Sequence, residues 1–180
     1  MVTPFRKAPM ALLHDLDRRS RQHAVGLPLQ VEVKKTWSGV AFRLSDTYLV
    51  VPLSEMREIL TYPGLSAVPG AKPWLKGIAN VRGNLLPIIH LQSYLGRQAT
   101  PIGRRSRVLV VKHEGMFAGL VVDEVLGMKH FVEEEFTAKI VSKDSPRDYL
   151  NGAYIQEGQH WEVFNIQRLV QSPLFLQVAV

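Results

Sequence analysis

The chain carries two textures. In residues 1–36, Leu12, Leu13 and Leu16 recur at helical spacing, with Asp15, Asp17 and Arg18 on other faces. This predicts a short amphipathic helix, followed by a linker at GLPLQ. From Trp37 onward the pattern is that of strands. VAFRL and YLVVPL flank the polar turn SDT, and VLVVKH and MFAGLVVDEVL flank EG, so two hairpins are predicted. NLLPIIHL and HWEVFNIQRL each begin just after a glycine and close with segments that read as short helices.

The strand region echoes itself. PWLKGIANVRGNLLPIIHLQSYL (73–95) lies over DYLNGAYIQEGQHWEVFNIQRLV (148–170) without a gap, at an offset of 75 (148 − 73). Leu75 falls on Leu150, Gly77 on Gly152, Gly83 on Gly158 and Gln92 on Gln167. Upstream, YLVVPLSEMREI lies over FAGLVVDEVLGM. A repeat of this kind predicts two similar β subdomains, about 37–96 and 105–171, joined by the polar linker RQATPIGRRSR. Residues 1–36 are then an extension and 172–180 a tail.

Composition narrows the class. The 180 residues are 46% hydrophobic and 21% charged, an ordinary globular balance with enough chain for a core of its own. There is no cysteine, so thiolate nucleophiles, thiolate metal sites and disulfides are excluded. The absence of a long apolar run or secretory leader predicts a cytoplasmic protein. The six histidines show no HxH or HExxH spacing, and GxSxG, GxGxxG and P-loop patterns are absent. The expectation is a non-enzymatic binding module with no metal or cofactor. The acidic run Glu133–Glu135 reads as a solvated loop. The net charge is +6 with the basic residues scattered; the densest runs are Arg18, Arg19 and Arg21, then Arg104, Arg105 and Arg107. Its readings are a solvated surface, a surface for an acidic protein partner, or a nucleic-acid-binding β-barrel that uses the basic linker. No aromatic residues interleave with either run to stack bases.

The densest binding signal is Gly77, Asn80, Arg82 and Gly83, approached through VPGAKPW, where Pro69, Gly70 and Pro73 stiffen the backbone. Gly83 and Gly158 match because both turns call for positive φ. Arg82 faces Glu157 in the sister turn, so the turn alone does not account for the arginine. Trp74 reads as core before exposed anchor, and His90 as the end of a strand rather than a ligand.

Two blocks carry a family resemblance: PWLKGIANVRG (73–83) and GLVVDEV (119–125). Together they resemble the CheW-like domains of bacterial chemosensory systems, over about residues 37–171. The wording of WSGVAFRL and IANVRGNLLP is most similar to the adaptors of type IV pilus (twitching) systems. The resemblance implies a mainly β fold of two five-stranded SH3-like barrels with short helices. It implies a scaffold that links a CheA-like histidine kinase, through the kinase's own CheW-like regulatory domain, to the cytoplasmic tip of methyl-accepting receptors in membrane-bound arrays. It also implies receptor coupling at Met56, Glu58, Gly77 and Arg82, with Asn80 in the same block. For the kinase interface the candidates are Tyr48, Met116 and Phe117, apolar side chains near the hairpin turns. No nucleic acid and no membrane insertion are expected. His90 departs from the family, which commonly has aspartate there.

Overall fold

A computed structural model describes residues 9–22, 35–113, 115–140 and 146–176. The chain divides into two units, Met1–Val33 and Lys34–Val180. In the first, α1 (Pro9–Gln22) forms on the predicted leucine stripe. Met10, Leu13 and Leu16 stay exposed, and Asp15 pairs with Arg18 at 3.7 Å and Arg19 at 2.9 Å one turn on. The GLPLQ segment lies outside the described residues.

The second unit runs β1 (Thr36–Leu44), β2 (Thr47–Pro52), β3 (Met56–Thr61), β4 (Leu75–Val81), β5 (Asn84–His90) and α2 (Leu91–Tyr94). It continues through β6 (Arg107–His113), β7 (Met116–Val122), β8 (Glu124–Val132), β9 (Phe136–Thr137), β10 (Leu150–Gln156), β11 (Gln159–Phe164), α3 (Ile166–Val170) and α4 (Pro173–Leu176). The run Glu133–Glu135 is a short 3-10 turn, where Val132 N–H donates to Glu135 Oε2.

The strands make two sheets, in the orders β8-β1-β2-β11-β10-β9 and β3-β6-β7-β5-β4. The fold is thus mainly β, with two sheets and few short helices, as expected. The expected division into consecutive subdomains at 37–96 and 105–171 needs correction. Those segments are the two halves of the repeat, and each half gives its first hairpin to the other half's strands. β1 and β2 join β8–β11, while β6 and β7 join β3–β5. Two parallel pairs seal the exchange: Val50 lies beside Val163, and Gly119 beside Ile88. These pairs also give the offsets between the copies, 69 for the hairpin (119 − 50) and 75 for the later strands (163 − 88). The expectation failed because consecutive strands usually neighbour one another, and here the third strand crosses over instead.

The equivalence extends to irregularities. A register shift falls between Met56 and Glu58 in β3, and the matching one between Val125 and Gly127 in β8. Both offset-75 hairpins shift after their first pair, at Leu75/Gly77 and Leu150/Ala153. The helices that follow are capped alike: His90 Nδ1 accepts the Ser93 N–H, and Asn165 Oδ1 accepts that of Arg168. An imidazole therefore serves as the cap that an aspartate would otherwise provide. His90 is buried, its Nε2 lies 3.2 Å from the Thr100 carbonyl oxygen, and burial holds its pKa below the ordinary value.

Alternation along the strands sorts side chains into three cores. Phe42, Leu44, Leu49 and Val51 of one sheet meet Ile89, Leu109, Leu120 and Val122 of the other in the largest, which the helices complete. Trp74 belongs to it, buried edge-on against Tyr94 at 5.1 Å between ring centres, as a core residue. So does Phe175 of α4. The expected tail at 172–180 is corrected at one residue: Phe175 is core, because it covers the Tyr94 ring, while Pro173 and Leu174 are exposed. The opposite face of each sheet has its own cluster, Phe131, Tyr154 and Trp161 in one and Leu86, Ile88 and Val110 in the other.

Candidate functional site

Strand β4 turns into β5 through two residues, with Val81 paired to Asn84. Arg82 has φ 50° and Gly83 φ 84°, the double positive φ of a type I′ hairpin. Asn80 Oδ1 accepts the Gly83 N–H at 2.9 Å and locks the turn. The sister turn is built alike, with Glu157 at 53° and Gly158 at 76°. The turn therefore accounts for Arg82's backbone but leaves its side chain unexplained.

That side chain reaches across the sheet. Arg82 Nη2 lies 3.1 Å from Glu58 Oε2; the arginine side chain is 81% exposed and the glutamate 18%. β3 and β4 are the two edges of the five-stranded sheet, so this ion pair forms only because the sheet curls until its edges approach. Between them lies a small groove of about 50 Å³ that opens to solvent, lined by Arg57, Glu58, Val81, Leu86, Val110 and Phe117 among others. All five strands contribute to it. The Phe117 ring is faced by the Arg57 guanidinium at 5.0 Å and by Lys112 Nζ at 5.7 Å. The site is an apolar floor with a mostly cationic rim and one carboxylate.

The same place in the six-stranded sheet is filled. By the two offsets, Leu86 corresponds to Trp161, Phe117 to Tyr48, Ala79 to Tyr154 and Gly119 to Val50. Trp161 is buried, meets Tyr48 edge-on at 5.4 Å, and carries Lys129 Nζ over its ring at 4.9 Å. One copy is packed with aromatic rings. The other has lost that volume and keeps a groove.

A CheW-like domain model matches residues 38–174. The chain belongs to the CheW-like domain family. It is 43% identical over 175 residues to Protein PilI of Pseudomonas aeruginosa, covering 97% of this chain and 98% of that one. Protein FrzA of Myxococcus xanthus is 27% identical over 133 residues, covering 73% and 83%. Among solved structures, the scaffolding protein TtCheW from Thermoanaerobacter tengcongensis superposes with a TM-score of 0.70 at 19% identity, over 77% of this chain and 95% of that one. The CheW-like scaffold fold and a chemosensory adaptor role follow from the family. Among the described residues no His, Asp or Glu cluster suits a metal ion, and no helix is long and apolar enough to cross a membrane.

Within this CheW-like chain the predicted residues separate. Glu58 and Arg82 meet directly. Asn80 acts on the turn, and Met56 packs against the main core. Gly77 is buried at φ 143°, where a Cβ would stand 2.5 Å from the Ser66 carbonyl oxygen, so the backbone alone demands glycine there. Tyr48, Met116 and Phe117 do not form one patch. Tyr48 packs on Trp161, Phe117 lines the groove beside Glu58, and Met116 is exposed at the start of β7. Sequence reasoning missed Arg57, Val81 and Leu86 in the groove and Leu85, 74% exposed beside the Arg82 turn. The signal that could have found them was in the echo: Leu86 and Ala79 are the small members of pairs whose partners are Trp161 and Tyr154.

Proposed function

We propose that the protein is a non-enzymatic adaptor that couples methyl-accepting receptors to a CheA-like histidine kinase, in the pilus-associated pathway that controls twitching. Family membership and the near full-length likeness to Protein PilI support this reading. The observation that carries it is the asymmetry between the copies: the place that Trp161 fills in one sheet is, in the other, a groove with Arg57, Glu58 and Arg82 on its rim. The receptor's cytoplasmic tip engages this groove. Met116, exposed where β7 begins at the same end of the sheet as the Arg82 turn, is the kinase-side candidate, and Tyr48 supports its own sheet from within.

The experiment refills the groove. Leu86→Trp copies Trp161 into the equivalent position at a packing cost of about 1–3 kcal/mol. The variant should fold, retain the isolated kinase regulatory domain in a pull-down, and lose receptor-dependent kinase control in reconstituted arrays. A folded Leu86→Trp protein that still couples receptors as well as wild type sinks the groove reading.

A further inference from the structure

The adaptor reading leaves the basic linker between α2 and β6 unused. This loop is exposed, yet it is fastened along its length. Thr100 N–H donates to Gln92 Oε1 at 2.8 Å. The Thr100 hydroxyl sits 2.5 Å from the same oxygen and 2.6 Å from Asp123 Oδ1, with one proton for either. Gln92 is fully buried, and its Nε2 donates to Asp123 Oδ2 at 2.9 Å and to Ser45 Oγ at 3.2 Å. Further on, Gly103 N–H donates to Ser106 Oγ, and Ser106 N–H to the Gly103 carbonyl. Arg107 Nη1 donates to the Arg104 and Ser106 carbonyls. The backbone is therefore held by a buried amide on one side and by its own turn on the other.

The guanidinium groups on this loop are used unequally. Arg107 is engaged by the turn, and Arg43 by Glu124 and the Ser45 carbonyl. Among the described residues, Arg104 and Arg105 have no carboxylate or hydrogen-bond acceptor of their own, and both are exposed. With Arg43, Thr100, Ser106 and Asp123 they line an open concavity. Two unengaged, always-charged forks on a rigid loop lose little entropy when they bind, and their planar donors fit carboxylates two at a time.

We propose that Arg104 and Arg105, held by the Gln92 clamp, form a docking surface for an acidic protein segment, separate from the Arg82 groove. Nucleic acid is disfavoured by the same geometry. No aromatic side chain lines the concavity for a base to stack on.

Fluorescence anisotropy on the full chain tests it with labelled octaglutamate, a single-stranded oligodeoxynucleotide of equal charge, and inorganic phosphate as competitor. Octaglutamate should bind, and Arg104→Glu/Arg105→Glu should weaken it about tenfold or more. Arg18→Glu/Arg19→Glu on α1 should leave binding unchanged. Gln92→Ala keeps every charge but frees the loop, and should weaken binding severalfold with the circular dichroism spectrum retained. If that variant fails to fold, Thr100→Val at the exposed end of the clamp replaces it. The proposal is overturned if octaglutamate does not bind, if the Arg18/Arg19 variant loses as much as the loop variant, if the oligonucleotide binds as tightly through the same two arginines, or if phosphate alone displaces the peptide. Receptor coupling in Leu86→Trp reads the groove independently, so failure of one site is distinguishable from failure of the other.

Discussion

Gly77→Ala separates a structural from a recognition role at a position that family resemblance assigns to receptor coupling. Gly77 sits at φ 143°, outside the comfortable range of an L side chain, which costs about 1–3 kcal/mol. Its added methyl would also meet the Ser66 carbonyl oxygen at 2.5 Å and Leu65 Cβ at 3.2 Å. Ser66 is bound to Ile78 by two backbone hydrogen bonds of 2.9 Å, each worth about 0.5–1.5 kcal/mol net, and moving the segment away weakens both. The expected loss is about 2–6 kcal/mol, combining the strain and hydrogen-bond terms. The comparison is Gly83→Ala, also at positive φ (84°) but with nothing within 4 Å of the new methyl. Only backbone strain applies there, about 1–2 kcal/mol. Urea melts of both variants, with calorimetry for Tm, read the difference directly. At about 2–4 °C per kcal/mol for a domain of this size, Gly77→Ala should melt several degrees below Gly83→Ala. If the two melt together, or if Gly77→Ala is as stable as wild type while coupling is lost, the close approach of Ser66 is not what demands glycine.

Three further outcomes follow from the geometry. Arg82→Ala removes an ion pair whose arginine side is mostly solvated, so stability should shift by no more than about 1 kcal/mol, while receptor coupling in a reconstituted kinase assay should fall steeply; a large drop in Tm with normal coupling would reverse the assignment. His90 has its folded-state pKa lowered by burial, opposed by its bond to the Thr100 carbonyl and by Asp123, and reinforced by Lys76. As pH falls, the unfolded chain takes up this proton first, so the stability it confers is complete above about pH 6.5 and is lost toward the lowered folded value. His90→Asn keeps a cap of the kind Asn165 provides and should flatten that part of the stability–pH curve; an unchanged slope between pH 7 and 5 would refute the buried neutral imidazole. Trp161→Leu should cost about 2–4 kcal/mol in a denaturant melt, because Tyr48, Phe131 and Lys129 all lean on that ring; a loss under about 0.5 kcal/mol would mean that the six-stranded sheet is not aromatic-filled in solution.

Much of this was legible in residue order, and the remainder depended on neighbours that order does not name. Both hairpins, the α1 stripe and the positive φ at Gly83 and Gly158 come from local signals, and local signals survive folding. The gap-free echo was also sound, down to matching caps at His90 and Asn165. What alternation cannot specify is which strand lies beside which. Val50 reads as an inward residue whether its neighbour is Ile88 or Val163, and only the parallel pairing decides. The exchange of hairpins was hidden for that reason, and with it the curl that carries Glu58 to Arg82. Phe175 was hidden differently, as a single aromatic in a short terminal stretch whose partner, Tyr94, lies 81 positions earlier (175 − 94). Arg57 gave no signal because an arginine on an edge strand reads as solvated until Phe117 is known to lie beneath it.

The duplication explains why such a groove is tolerable. Both sheets share strand order, bulges and turn geometry, so the backbone solution was held while the interiors diverged. In one, Phe131, Tyr154 and Trp161 stack within 4.7–6.3 Å of one another or of shared neighbours, and aromatic residues of this size each bury about 150–250 Å². In the other, Ala79 and Leu86 stand where Tyr154 and Trp161 would, while the space at Gly119, in place of Val50, is taken by Ile88 and Val108. A lone curled sheet with that interior would lose the contacts that hold its edges together. Here the large core between the sheets anchors its other face through Ile89, Leu109, Leu120 and Val122, all at most 1% exposed. The strands β6 and β7 are tied by chain connection to the other half. Stability thus rests on the shared core and the filled sheet, which frees the second sheet's open side, with Arg57, Glu58 and Arg82 at its rim, to be shaped for contact rather than for packing.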